Sequence, residues 1–556
     1  MFLAIELCLT AIAVSLAYTH PLLWDDEFRW VERRFTKFAE RRALAVITVG
    51  LLALGLRLSL LPILPIPVPE VHDEYSHLLL ADTLAQGRLA NPTHPMWIHF
   101  ETFHVNWHPT YASMYYPGHA LFLAFGQVVL GHPFWGVWLS SGLMCAAICW
   151  ALQGWMPPGW ALLGGILVVI RLGTFSYWVS SYWGGTVSAL GGALVLGAFP
   201  RIKKNNGAWD GFLIGLGMAL LAITRPYEGI FFCLPIVIAL LVWAIRQETP
   251  PLKILLAKIA VPAVITLGIG VIWLGYYFWR VTGSPFTTPY QVNMRTYGLI
   301  YFPWEKIRPI HFNHSEMQMF YRGAAVVGFY DLARRHNLEL QGLKALIIWL
   351  FYFGPLLSAP WIVWLFTRPF WRSIRPELGL LLIVCGLTYL SNTLTIYIGQ
   401  PHYLAAATVA CYAAALLMMR DLFGTSSGRF LARSLPLVAV ILFLGRAAAP
   451  LVHLAPQPSW IRTWCSTDKQ PLDRSRILDQ LQQIPGEHVV IVRYHPGHDS
   501  MLDEWVFNSA DVNSAKVIWA RDMGTKNDEL VKYFKNRKIW LVEPEDHPLK
   551  LAPYVE

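Results

Sequence analysis

Charge is scarce in this chain. Only 14% of its 556 residues are Asp, Glu, Lys or Arg, while 55% are apolar and the mean hydropathy is +0.42. Soluble domains carry about 25% charged residues, so a water-facing surface over the whole molecule is excluded. Cysteine is scarce as well: of seven, six lie in or beside apolar segments and Cys465 stands alone near the C-terminus. With no CxxC, a disulfide framework outside those segments and a redox pair are excluded. Neither GxxxxGK[ST] nor a GxGxxG after a strand occurs, which removes the signatures of nucleotide-driven transport and of a nucleotide-sugar site. The formal charge of +9 does not call for nucleic acid. From residue 454 onward 13 basic residues stand against 15 acidic, so the excess belongs to the 31 basic and 20 acidic residues before it.

What the chain does have is long apolar runs. They lie near 2 to 18, 43 to 65, 134 to 155, 158 to 176, 178 to 199, 209 to 223, 229 to 245, 258 to 279, 344 to 366, 379 to 397, 403 to 419 and 434 to 452. One crossing needs about 20 such residues, so the expectation is a polytopic all-α membrane protein of about twelve transmembrane helices. The first run lacks a basic start and carries Glu6, which fits a cleaved signal poorly. Lys and Arg gather in short cytoplasmic loops. Here they gather at Arg29, Arg33, Arg34, Lys37, Arg41 and Arg42, at Arg201, Lys203 and Lys204, and at Arg246, Lys253 and Lys258. Further groups are Arg368, Arg372 and Arg375, and Arg420, Arg429 and Arg433. The opposite, outer side then receives the loops 67–133 and 281–343 and the tail.

Three parts are expected: an N-terminal helix with a basic cytoplasmic segment (1–42), a transmembrane domain (43–453), and a small soluble α/β domain on the outer face (454–556). In the last, Val489-Val490-Ile491-Val492, Val517-Ile518-Trp519 and Ile539-Trp540-Leu541-Val542 read as buried strands, and 472–483 and 527–537 as helices. Arg493, Tyr494, His495, His498, Arg521 and Asp522 fall at strand ends, where open parallel sheets bind ligands. They could equally be surface residues of a docking or lid domain.

The densest chemistry is in the first outer loop. His72-Asp73-Glu74 sits just past an apolar run, and a carboxylate fixed at a helix end beside a lipid interface suits a general base. Acids there could equally be a favourable N-terminal turn before Leu78-Leu79-Leu80. The loop adds His77, His94, His99, His104, His108 and His119, Glu101, and the rings Trp97, Phe100, Phe103, Trp107, Tyr111, Tyr115 and Tyr116. Rings with polar tips suit an interfacial carbohydrate or lipid site. Asp73 and His77, four apart, share a helix face and form a possible metal pair. No HExxH or similarly strict spacing occurs, so no metal is assigned, with a divalent ion left open. Residues 117–131 fit a helix lying in the outer interface. Arg171 and Arg225, within or at the outer ends of apolar segments, are charges that a membrane tolerates at a cost of about 2.5 to 3.5 kcal/mol. They are either phosphate-binding cations or snorkelling side chains.

Asp73-Glu74-Tyr75, then Ala81, Ala85 and Gly87, then Tyr116-Pro117-Gly118 leading an apolar run to Leu130-Gly131, resembles the first external loop of GT-C glycosyltransferases. The resemblance is to the family 39-like group, which includes protein O-mannosyltransferases and aminoarabinose lipid A transferases. Thr224-Arg225-Pro226 and Pro401-His402-Tyr403 are similar to that group's later outer-end motifs. It spans roughly residues 43 to 420 and leaves the tail uncovered. It implies an inverting transfer from a polyprenyl-phosphate sugar to a glycan, lipid or protein acceptor, in a multi-pass protein of a bacterial inner membrane. Asp73 would be the base, and Glu74 would position the acceptor or support Asp73. Arg171, Arg225, His402, Tyr403, Glu101 and His77 would meet the donor phosphate or substrate. An acid followed by Lys often precedes the prolines in this group; Tyr115-Tyr116 stands there here, and Gly118 replaces the second proline. Two other readings remain: a transporter or lipid flippase with Arg171 and Arg225 along its pathway, although no two-half symmetry is visible, and an outward glycan polymerase or ligase.

Overall fold

The computed structural model describes residues 1–205, 207–247, 251–367, 374–454, 461–466, 473–499 and 503–554, with backbone alone at Ala324 and Ala325. Arg368, Arg372 and residue 472 lie outside the described residues. Every one of the twelve apolar runs is at least partly helical. The first ten helices are α1 (Phe2–Thr19), α2 (Asp25–Ala39), α3 (Arg42–Ser59), α4 (His72–Ala85), α5 (Pro117–Leu130), α6 (Phe134–Trp155), α7 (Pro158–Arg171), α8 (Thr186–Asn205), α9 (Ala208–Thr224) and α10 (Pro226–Arg246).

Among the described residues seven helices are long and apolar enough to cross a bilayer: α1, α3, α6, α10, Leu252–Thr282, Pro401–Leu422 and Ser426–Val452. The pair Asn337–Tyr352 and Gly354–Thr367, bent by 99°, makes an eighth if it counts as one span. Of the remaining expected spans, two are the shorter helices α7 and α9, whose 14 and 17 residues rise only about 21 to 26 Å, and two are α8 and Pro376–Thr393, of 20 and 18 residues. Leu252–Thr282 turns an almost bare apolar surface outward, with Val264, Ile265, Ile269 and Ile272 all more than half exposed. Such a surface needs lipid around it. Pro401–Leu422 is instead 89% buried and forms the axis of the bundle. At one end of the bundle Arg433 ion-pairs with Asp25 and Glu32 of α2, tying two of the basic segments together.

The broken pair has a chemical reason. Gly354 takes φ +55, and its break leaves the Phe353 carbonyl to accept from Arg171 Nη2 at 3.1 Å. Arg171 Nη1 meets Glu6 Oε1 at 3.0 Å, and Glu6 also accepts from the Trp464 indole (2.8 Å) and the Leu356 N–H (3.2 Å). A Cβ at residue 354 would press on both charged groups. The first helix is thus held into the bundle by a buried ion pair. Breaking such a pair by removing one partner costs about 3 to 5 kcal/mol.

The tail carries a four-stranded sheet in the order β4-β3-β5-β6, with β3 (His488–Val492), β4 (Val517–Arg521) and β5 (Lys538–Val542) parallel and β6 (Leu551–Pro553) antiparallel at the edge. The flanking helices are Asp473–Gln483 and Asn527–Tyr533, the latter shorter than the expected 527–537. A two-stranded ribbon, β1 (Val105–Asn106) with β2 (Ala112–Ser113), lies in the first loop. Tail and loop share one core: Leu79, Phe100, Val105, Trp107 and Tyr111 pack with Val489, Ile491, Ile518, Ala520 and Leu530. Arg521, at a strand end expected to bind ligand, is spent on this junction. Its Nε donates to the Glu101 carbonyl (2.7 Å) and its Nη2 pairs with Glu504 (2.6 Å).

Candidate active site

Helix α4 begins at His72, with Asp73 and Glu74 in its first turn, where their charge meets the unpaired N–H groups and the positive end of the helix dipole. Glu74 fixes the helix in place. Its Oε2 accepts from the Glu70 N–H at 2.7 Å and its Oε1 from the Tyr182 N–H at 3.0 Å. Both carboxylate oxygens are therefore engaged by backbone. One residue on, Tyr75 stacks on Phe507 of the tail at 4.3 Å and lies under the Arg474 guanidinium. Farther along α4, Asp82 accepts from the Ala510 N–H at 2.8 Å. The tail thereby clamps the helix that carries Asp73.

Asp73 itself faces a small chamber. Its Oδ1 accepts from the Tyr115 hydroxyl, and its Oδ2 lies 3.0 Å from His72 Nδ1. Burial raises its affinity for a proton, but the His72 imidazole and the Tyr115 hydroxyl outweigh that and hold its carboxyl well below the usual carboxylate range. It is ionised at neutral pH, and 19% of its side chain stays open. His104 closes the other side, its ring 4.5 Å from that of His72, in a left-handed backbone conformation (φ +59) that a bulky residue rarely adopts. Burial pushes the His104 imidazole down to about 3, so it is neutral. His77 does not join Asp73 as the i, i+4 pairing suggested. Its ring stacks on Tyr115 at 4.3 Å and meets His119 edge-on at 5.3 Å.

The later motifs converge on the same chamber. Pro117 starts α5, and Gly118 lies so close to the end of α9 that a Cβ would collide with Thr224 Oγ1 and the Ile223 carbonyl. The glycine lets Tyr116-Pro117-Gly118 pack against Thr224-Arg225-Pro226. Arg225 caps the junction of α9 and α10, pairs with Glu228 at 3.2 Å and sits over the Tyr403 ring at 5.0 Å. His402 is locked by Tyr177, whose hydroxyl is 2.8 Å from its Nδ1 and accepts from its backbone N–H at 3.1 Å. The His402 ring meets Trp183 and Tyr403 edge-on, at 4.9 and 4.7 Å. Tyr290, in the segment 281–343, contacts both Tyr115 and Tyr116. Tyr116 touches Phe278, one wall of an apolar groove of about 510 Å³ that Val271, Leu274, Trp279 and Phe286 also line.

Two expected site residues lie elsewhere. Arg171 is committed to Glu6 and the Phe353 carbonyl, so no free guanidinium faces a phosphate from there. Glu101 is buried at the junction of both loops and the tail, accepting from the Tyr297 hydroxyl and the Asn313 amide at 3.0 Å each. Burial pushes its carboxyl up. Sequence reasoning missed Tyr115, His104 and Tyr177 as partners of the chamber. The first two stood in the ring-and-histidine set of the loop, with no spacing to single them out.

Two constellations among the described residues offer metal ligands. One is His72, Asp73 and His104, where one donor atom from each lies within 4.8 Å of the others, His72 Nδ1 faces Asp73 Oδ2 at 3.0 Å and His104 Nδ1 is buried without a hydrogen-bond partner. The other, in the tail, is His495, Glu543 and Asp546.

No protein-family model and no curated protein sequence matches the chain. Solved structures do. The structure of ArnT from Cupriavidus metallidurans bound to undecaprenyl phosphate is similar at a TM-score of 0.49 and 14% identity, over 90% of this chain and 92% of that one. Its apo form gives 0.48 and 14%, over 91% and 92%. The oligosaccharyltransferase of Archaeoglobus fulgidus in complex with Zn and sulfate is similar at 0.48 and 12%, over 90% of this chain and 67% of that one.

Proposed function

We propose that this protein is a multi-pass glycosyltransferase of a bacterial inner membrane. It moves a sugar from a polyprenyl-phosphate carrier to a hydroxyl of a glycan, lipid or protein acceptor on the outer face. The observation that carries the reading is the ionised carboxylate of Asp73, held between His72 and Tyr115, with Tyr290 joining Tyr115 to Tyr116 and the Tyr116-Pro117-Gly118 turn packed against Thr224 beside Arg225. In a single displacement the acceptor O–H gives its proton to Asp73 while the oxygen attacks the anomeric carbon, inverting it. The bond to phosphate breaks, and the charge left on the carrier falls to Arg225. Such a carrier would lie with its chain along the apolar groove by Phe278, in lipid, and its head at the chamber. Glu74 acts as a positioning residue, since it holds α4 through two backbone N–H groups.

The test is a reconstituted transfer. Protein in liposomes, given lipid-linked sugars extracted from its native membranes and an envelope acceptor fraction, should release polyprenyl phosphate only when both are present. Release without acceptor, or none at all, speaks against it.

The clustering of His72, Asp73 and His104, with His104 Nδ1 buried and without a hydrogen-bond partner, favours a second reading, in which Asp73 ligates a divalent ion. Activity that survives chelator treatment supports the base reading. Activity lost on stripping and restored by zinc or manganese supports the ligand reading.

A further inference from the structure

The carboxyl edge of the tail's parallel strands bears a cluster that takes no part in the chamber. His495, after β3, points its Nε2 at Asp546 Oδ1 (3.8 Å) and Glu543 Oε1 (4.0 Å), both after β5. One donor atom from each of the three residues lies within 4.8 Å of the other two. Glu545, in the same loop as the acids, accepts from the His495 backbone N–H at 3.3 Å and bonds His498 Nδ1. That leaves His498 oriented by a carboxylate through one nitrogen, while its other nitrogen is buried without a hydrogen-bond partner. The cation in contact with the acids is Arg493, which it shares between Asp522 and Glu543. Negative charge is thus gathered around two imidazoles with little to balance it.

An imidazole nitrogen with two carboxylate oxygens is a borderline donor set, suited to Zn²⁺ rather than to Ca²⁺ or Mg²⁺, which prefer oxygen alone. Tetrahedral bonds of about 2.0 to 2.2 Å put neighbouring donors about 3.4 Å apart. The two separations from His495, 3.8 and 4.0 Å, need to close by about half an ångström, and the two carboxylates, within 4.8 Å, by no more than about 1.4 Å, which side chains 27 to 45% exposed can do. We propose that His495, Glu543 and Asp546 form a zinc-class divalent metal site, with water in the fourth position, that staples the loop after β3 to the loop after β5. Tyr494, beside His495, donates to Glu504 at 2.8 Å, and Glu504 holds Arg521 against the first outer loop. The staple therefore stiffens the face of the tail that meets the loop carrying Asp73.

The experiment uses the full chain purified in detergent and stripped of metal. Zinc is titrated against a competing chromophoric chelator, and the melting temperature is followed with and without zinc. Wild type and His104→Ala should both bind this equivalent and melt several degrees higher with zinc present. In the His495→Ala/Asp546→Ala double variant the affinity of the site should fall by about 100-fold or more and the thermal shift should vanish. Equal zinc binding and an equal shift in the double variant would overturn the site and leave an ordinary ion-pair cluster. So would a wild type that binds no zinc outside the chamber around Asp73. Should the double variant fail to fold, Glu543→Gln with cobalt in place of zinc decides. The visible bands of a tetrahedral cobalt site should appear in His104→Ala and be absent from Glu543→Gln/His104→Ala, and bands unchanged by Glu543→Gln refute the proposal.

Discussion

Asp73→Asn is the sharpest perturbation of the chamber. The amide keeps the size and shape of the carboxyl, its oxygen can still accept from the Tyr115 hydroxyl, and its nitrogen takes the position 3.0 Å from His72 Nδ1. The packing around it is therefore preserved. What is lost is the charge and the ability to take a proton. Removing a general base lowers turnover by about 10² to 10⁴, equivalent to about 2.7 to 5.5 kcal/mol of transition-state stabilisation. The assay is initial-rate sugar transfer in liposomes at saturating lipid-linked donor, with melting temperature and donor binding as controls. Turnover reduced by that factor, with donor binding unchanged and the protein still folded at the assay temperature though melting lower for want of the charge that His72 and Tyr115 hold, is the expected result. Turnover within threefold of wild type in a folded, donor-binding protein refutes the assignment of Asp73 as base.

Arg225→Ala should raise the donor KM about 10- to 100-fold with a smaller change in acceptor use, because a charge-assisted contact to phosphate is made before as well as during reaction; titration of donor against the purified protein reads it. His314, which donates to the Ile98 carbonyl between the outer loops, is pushed down by burial to about 4. Unfolded, it titrates near 6.5, so between these values the unfolded chain holds more protons, and stability falls as pH is lowered, by up to about 1.4 kcal/mol per unit. The melting temperature should therefore drop more from pH 7 to pH 5 with His314 than with His314→Gln, compared in a Glu101→Gln background because the Glu101 carboxyl lies 3.7 Å from His314 Nε2 and opposes it. In a cysteine-free background, Gln86→Cys should react with a membrane-impermeant thiol reagent in intact cells and Lys204→Cys only after permeabilisation. Both positions are exposed, whereas the native Cys465 is buried and unsuited to the purpose.

The helices were legible because each apolar run carries its own signal, and all twelve contain a helix. Their lengths were less so, since a run such as 158–176 continues in composition past Arg171, where the helix ends and the chain turns through Tyr177–Val179. In the chamber, Asp73, Arg225 and His402 were visible from short motifs in a fixed order. The partners were not. Arg171 and Glu6 meet across 165 residues, and neither segment alone announces which charge it will neutralise. The i, i+4 spacing correctly put Asp73 and His77 on one helix face, but that spacing says nothing of Tyr115, which stacks on one and donates to the other. The short edge strand Leu551–Pro553 has no apolar alternation to mark it and exists because Val542 offers a free backbone edge. The docking of the tail on the first loop follows from two surfaces fitting in three dimensions, which no local pattern records.

The central claim is that sugar leaves a lipid carrier for an outer-face acceptor through Asp73. It is tested most directly by mass spectrometry of lipid-linked sugars and envelope glycans in cells lacking the gene, complemented with wild type or with Asp73→Asn. One lipid-linked sugar should accumulate, and one glycan or modified acceptor should lose that same sugar, in the deletion and in the Asp73→Asn strain alike, with wild type restoring both. Unchanged pools in the deletion, or full restoration by Asp73→Asn, would contradict it.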